Sequence, residues 1–178
     1  MSMKSDGFTL IELLAVLTIA TIVLTLGVPS FQEIIRNNRL TTQANRLISS
    51  INLARSEAIK RGVRVTLCKS NDGENCVNGN GYEQGWIVFS DQNENAIFDN
   101  NNEEIIRVVG ATSGDLIIEA NSDTVADYIS YVSEGWSVLI NGNFQAGTIK
   151  LCIPERSEGR QIVITRGGRA RVEKSTCS

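Results

Sequence analysis

The 178-residue sequence has no histidine, which removes the commonest general base and the commonest metal ligand from any catalytic scheme. It also offers no nucleophile-base pair, no phosphate-cradling glycine loop and no metal-ligand cluster, so neither an enzyme nor a cofactor-binding protein is expected. A small-residue cleavage site of A-x-A type is missing after the apolar run near the N-terminus, which argues against a cleaved secretory signal. There is no internal repeat and no second long helical pattern. The net charge of −3 conceals an uneven distribution: six Lys/Arg against two acids over residues 31–62, four against thirteen over 63–153, and six against three over 154–178. An acidic middle therefore lies between two basic flanks, and the whole-chain charge says little about partners.

What is present begins with residues 8–28, whose single ionisable side chain is Glu12. At about 1.5 Å per residue this segment is long enough to span a hydrocarbon core of about 30 Å. A carboxylate inside such a run costs roughly 2.5–3.5 kcal/mol at the bilayer centre and less near its edge, so Glu12 requires a partner. A cut between Gly7 and Phe8 would supply one. The new α-amino group would lie four residues before Glu12 on the same helical face, or would meet the Glu12 of a neighbouring subunit.

From Phe31 through Ile34, Ile35, Leu40, Ala44, Leu47, Ile48, Ile51, Ala54 and Ala58 the apolar spacing is mostly three and four, the period of an amphipathic helix that Gly62 would stop. Pro29 predicts a kink or local unwinding, and the six cations of residues 31–62 read as a solvated helix face. A continuous helix over 8–61 would be roughly 80 Å long. After Gly62 come eight short β-rich runs: VRVTLC, GWIVFS, EIIRVVG, DLIIEA, YISYVS, GTIKLCI, RQIVITR and RARVEK. Their turn-rich spacing predicts antiparallel sheets leaning on the helix. Trp86 and Trp136 are expected to be core anchors, and Tyr82 is left open.

The run GFTLIE after the short leader MSMKSDG resembles the processing site of type IV pilins and type II secretion pseudopilins. The resemblance implies cleavage after Gly7 and methylation of Phe8 by a prepilin peptidase/N-methyltransferase. It also implies that Glu12 neutralises an adjacent subunit's terminus during assembly with other pilins. The stretch GWIVFSDQNENAIFDNNNEEIIRV resembles the head of the FimT/GspH group of minor pilins and pseudopilins. The expected fold is α+β and pilin-like, a long N-terminal helix with a membrane-spanning first half packed on a β-rich head. Its divisions are a leader at 1–7, helix halves at 8–30 and 31–62, and a head at 63–178. The expected location is the bacterial inner membrane with the head in the periplasm, then the pilus at the cell surface. Counting Lys4 before the span against Arg36 and Arg39 after it favours the opposite orientation, but the leader motif and the cysteines overrule that count.

Four cysteines allow three pairings, and an exported head favours oxidation. Local pairing is expected, Cys68 with Cys76 around a short polar loop and Cys152 with Cys177 tying down the C-terminus; a zinc site has neither the spacing nor the histidines. Asp91, Asn93, Asn95 and Asp99 are spaced like calcium ligands, but Ala96 stands where a sharp loop needs Gly and Asn102 where it needs a bidentate Glu, so side-chain-capped turns are expected.

The C-terminal run reads as a hairpin, with strand 160–165, a Gly167-Gly168 turn and strand 169–173. Alternation puts Arg169 and Arg171 on one face about 7 Å apart, with Arg166, Arg160 and Lys174 enlarging the patch. Guanidinium groups suit phosphate because their planar fork donates two parallel hydrogen bonds. Gly168-Arg169-Ala170-Arg171 resembles the Gly-Arg-x-Arg motif of FimT-type minor pilins, which bind DNA during uptake for natural transformation. Three roles follow: a DNA-capturing minor pilin, a minor pilin that primes or caps the pilus for adhesion or twitching motility, and a type II secretion pseudopilin.

Overall fold

The computed structural model describes residues 7–79, 81–100 and 102–177. Of the expected leader, residues 1–6 lie outside them. The chain divides into two compact units, Met1–Arg39 and Leu40–Ser178.

The single α-helix among the described residues, α1 (Leu10–Arg61), begins in the first unit. Phe8, Leu10, Ile11 and the apolar side chains through Val28 are exposed there, and an 18-residue window with mean hydropathy 2.4 makes the helix long and apolar enough to cross a membrane. Helical structure continues through position 29, so the unwinding expected at Pro29 does not occur. Phe31, Ile34 and Ile35 are also exposed, which moves the start of the buried stripe from Phe31 to Leu40.

In the second unit that stripe is Leu40, Ala44, Leu47, Ile51, Ala54 and Ala58, at alternating steps of four and three and each at most 1% exposed. Every fully buried Leu or Ile contributes roughly 1.5–3 kcal/mol, so this face fixes the helix against the sheets. The helix ends where Gly62, at φ +67°, donates its N–H to the Ala58 carbonyl.

Eight strands follow among the described residues: β1 (Val65–Lys69), β2 (Gly85–Ser90), β3 (Ile105–Gly110), β4 (Ile117–Ala120), β5 (Tyr128–Tyr131), β6 (Gly147–Cys152), β7 (Glu158–Ile164) and β8 (Ala170–Thr176). They form two antiparallel four-stranded sheets, in the orders β3-β2-β1-β5 and β4-β6-β7-β8. Val65, Leu67, Trp86, Val88 and Ile129 of the first sheet, and Ile118, Ile149, Leu151, Ile162 and Ile164 of the second, share one core with the helix stripe. Tyr82 belongs to it too, its hydroxyl donating to the Val125 carbonyl.

The central strands of the first sheet are buried on both faces, because Ile87, Phe89 and Cys68 pack beneath the loops that follow. Over the outer face, Phe98 meets Phe89 edge-on at 5.5 Å. Its loop is held by capped turns. Asp91, fully buried, accepts from the Asn95 and Ala96 amides and the Thr66 hydroxyl, while Glu103 accepts from the Gln92 and Asp99 amides. Ala96 takes φ +59°, the left-handed conformation for which a glycine is the easier residue.

Disulfides join Cys68 to Cys76 and Cys152 to Cys177.

Candidate nucleic-acid interface

β7 and β8 pair so that Ile162 opposes Val172 and Ile164 opposes Ala170 on the core side. With a side-chain period of two, Val163 opposite Arg171 and Gln161 opposite Glu173 occupy the outer face. Arg160 and Lys174, directly opposite each other, fall back on the core-side face beside Leu151. The expected five-cation patch therefore splits, with Arg169 and Arg171 on one face and Arg160 and Lys174 on the other. Lys150 of β6 shares the outer face but stands opposite Glu119 of β4.

The hairpin tip is a tight three-residue loop, Arg166-Gly167-Gly168. Gly168 donates to the Thr165 carbonyl at 2.9 Å, and Thr165 donates in turn to the Arg169 carbonyl at 3.0 Å. Closing a three-residue hairpin in this way needs a left-handed residue after the turn, and Gly168 supplies it at φ +72°.

Gly168 has a second constraint: a Cβ there would lie 2.4 Å from the Gly135 carbonyl oxygen and 3.2 Å from the Ser137 nitrogen. The tip is thus seated on the 135–137 segment. Arg55 of α1 clamps both sides, donating from Nε to the Gly135 carbonyl at 2.9 Å and from Nη2 to the Gly167 carbonyl at 3.4 Å. Ser137 Oγ donates to the Gln145 carbonyl at 2.6 Å and reaches the Thr165 carbonyl at 3.3 Å. Gly168, expected among the ligand-contacting residues, is buried and acts as the seat of the tip.

Arg166, Arg169 and Arg171 are exposed. Among the described residues neither Arg166 nor Arg169 has a carboxylate partner for its guanidinium. Arg171 does: its Nε lies 2.5 Å from Glu173 Oε1. The Gln161 side-chain amide, foremost, and Arg171 hold the Glu173 carboxyl below the usual carboxylate range. Glu173 is visible in the sequence as an acid two residues along the same strand face. Arg55, more than a hundred residues from Gly167, leaves no local signal; it is not one of a row of merely solvated cations but a half-buried clamp on the tip.

Trp136 also departs from expectation. It is 46% exposed, whereas Trp86 is fully buried. Its ring lies 5.7 Å from that of Phe144, itself 56% exposed. Ser137 takes the inward position beside it, which forces Trp136 outward by the period-two rule.

At the other end of the chain, Phe8 is exposed and Glu12 is partnered locally. The Thr9 N–H and Oγ1 donate to Glu12 Oε2 at 3.0 and 2.8 Å, and the Glu12 N–H donates back to Thr9 Oγ1 at 3.3 Å. This is a capping box, and the spacing T-x-x-E announces it in the sequence.

Residues 43–168 match the family model described as Type II transport protein GspH, and residues 2–28 match the prokaryotic N-terminal methylation motif. In structure the chain is similar to the type IV minor pilin FimU of Pseudomonas aeruginosa (strain PAO1) in two crystal forms. One gives a TM-score of 0.55 at 17% identity over 78% of this chain and 90% of that one; the other gives 0.54 at 16% over 75% and 92%. At these identities the likeness is one of fold. No curated protein matches the chain in sequence. The family match spans well over half of the residues, and the chain belongs to the GspH family: it is a minor pilin or pseudopilin of the GspH/FimT group.

Proposed function

We propose that this protein is a minor pilin that binds DNA without sequence preference through its C-terminal hairpin, for uptake in natural transformation. The observation that carries the reading is a rigidly seated tip presenting Arg166 and Arg169 without carboxylate partners, with Arg171 two residues on. The Arg171–Glu173 pair is open to water, its side chains 64% and 37% exposed. Exposed pairs of this kind are worth about 0–1 kcal/mol, so a phosphate can displace the carboxylate. In this reading the guanidiniums contact phosphates, so affinity is independent of sequence and falls with salt.

Membership of the group implies assembly with other pilins and processing by a prepilin peptidase. In our reading cleavage follows Gly7, Phe8 becomes the methylated terminus, and Glu12 exchanges its Thr9 contacts for a neighbour's terminal amine. The apolar first half of α1 anchors the subunit in the inner membrane, head in the periplasm, until it enters the pilus. The description of the matched family favours a second reading, a type II secretion pseudopilin with no nucleic-acid ligand.

The test compares the full-length chain in detergent micelles with Arg169→Ala/Arg171→Ala on mixed-sequence duplexes across a salt series. The double variant is expected to bind more weakly and to reduce the slope of log affinity against log salt by about 1.8. Equal and negligible binding by both proteins leaves only the assembly roles.

A further inference from the structure

The exposed aromatic pair and the basic tip are built on one another. Gly135 and Ser137, the residues that flank Trp136, are the two against which Gly168 is seated. Ser137 joins them again, because its hydroxyl bonds the carbonyl of Gln145, next to Phe144, and that of Thr165, which opens the hairpin loop. Trp136 and Phe144 thus lie on the same structural node as Arg166 and Arg169. Large rings side by side in water are an unfavourable way to finish a surface that packing does not require, since the buried core elsewhere in this unit is complete without them.

We infer that Trp136 and Phe144 form a stacking platform for unpaired bases, and that the tip arginines hold the phosphates of the same strand. The inference rests on the DNA-binding reading above and adds a ligand class to it: single-stranded DNA. In a duplex the base faces are occupied by their neighbours, so the rings can engage only bases that have been freed. Stacking on an aromatic face is sequence-tolerant because every base has a π-face, which agrees with a reading in which the tip arginines contact phosphates. The surroundings suit a polyanion, since Glu134 is the single acid between Asp127 and Glu155. Glu134 itself is exposed, accepting from the Ser133 hydroxyl, and lies two residues before Trp136. A neighbouring subunit packed on the same rings is the competing occupant.

The experiment uses the full-length chain in detergent micelles, with oligothymidine and a duplex of equal length as probes. The proteins are wild type, Trp136→Ala, Phe144→Ala, Trp136→Phe and Arg169→Ala/Arg171→Ala. Each alanine variant is expected to lose about tenfold in affinity for oligothymidine and to keep its duplex affinity, while Trp136→Phe retains most single-strand binding. Oligothymidine is expected to quench the fluorescence of wild type but not that of Trp136→Phe, where buried Trp86 is the remaining indole. Unchanged oligothymidine affinity in both alanine variants overturns the platform, and does so equally if those variants instead impair pilus assembly. Equal losses on single strand and duplex overturn it as well. If duplex binding is lost in the arginine variant while the aromatic variants behave as wild type, the platform fails and DNA binding stands; if wild type binds neither probe, both fall.

Discussion

Arg171 and Glu173 sit on one face of β8, two residues apart, with Nε 2.5 Å from Oε1. In the DNA-binding reading, a phosphate approaching Arg171 competes with that carboxylate. Glu173→Gln is therefore expected to raise duplex affinity at low salt by up to about fivefold, the range of one exposed ion pair. The pH dependence has a definite sign. Because the Gln161 amide and Arg171 depress the Glu173 pKa, the carboxylate stays charged below the usual Glu value of about 4.3. Wild type and Glu173→Gln should thus differ at every pH down to that value and converge only below it. Salt-titrated binding isotherms at two pH values measure this, and equal affinities at neutral pH would refute the shielding role.

Much of this arrangement can be read from residue spacing alone. The stripe from Leu40 to Ala58 and the eight strands follow from periods of 3.6 and two, and Gly167-Gly168 announces a turn because few other residues accept a left-handed position; the loop in the structure takes in Arg166 as well. Local rules fail where burial depends on distant partners. Phe31, Ile34 and Ile35 continue the helical period yet are exposed, because period alone does not say which apolar positions are covered. Trp136 follows a Gly in a β-rich run as Trp86 does, yet only Trp86 falls on an inward position. Arg55 reaches the tip only through the tertiary fold of the second unit, which brings it to Gly135 and Gly167. The division of the cationic patch follows from parity, since Arg160 and Lys174 fall on the opposite face from Arg171 in the β7–β8 register, which the loop length sets.

Neighbouring glycines at the tip should behave very differently. At Gly168 an added methyl meets the Gly135 carbonyl at 2.4 Å and the backbone is left-handed, so Gly168→Ala is expected to cost at least about 2 kcal/mol. At Gly167 the nearest atom is the Thr165 hydroxyl at 4.0 Å, and Gly167→Ala should stay within about 1 kcal/mol of wild type. Thermal unfolding decides, and DNA affinity should fall in the first variant alone because only there does the tip lose its seat. Similar unfolding curves would mean that the seat is soft.

The Cys152–Cys177 bridge closes the end of the hairpin remote from that tip. It covers Gly159, where a Cβ would lie 2.5 Å from Cys177 Sγ. A cross-link of sequence separation 25 stabilises by about 3.5 kcal/mol in the chain-entropy model. Cys152→Ser/Cys177→Ser should lose stability of that order in denaturant unfolding. Its DNA affinity, measured well below the new midpoint, should stay near wild type, because Arg55 and Ser137 hold the tip independently. A large loss of affinity in the folded variant would show instead that the bridge positions the arginines.

Within the Cys68–Cys76 loop, Asp72 gathers donors from all sides. Its Oδ1 accepts from the Glu74 and Asn75 amides at 2.8 Å and from the Ser70 hydroxyl at 3.1 Å, and its Oδ2 accepts from the Asn75 side chain at 2.8 Å. The Asn75 side-chain amide first, then the two backbone amides, hold this carboxyl far below its ordinary range. A depressed pKa contributes stability above the unfolded value of about 3.9 and loses it as pH falls through the folded value. Asp72→Asn cannot supply the same four acceptor contacts, so wild type should be the more stable protein by a constant margin from neutral pH down to about pH 5. Below about pH 4 the margin should shrink, because Asp72 takes up a proton in the unfolded wild-type chain while the folded carboxyl stays charged. Because the disulfide limits how far the loop can open, the effect should concentrate in the hydrogen exchange of the Glu74 and Asn75 amides. Protection that is identical in the two proteins, or a margin that widens in acid, would show that the loop is held by the bridge and not by Asp72.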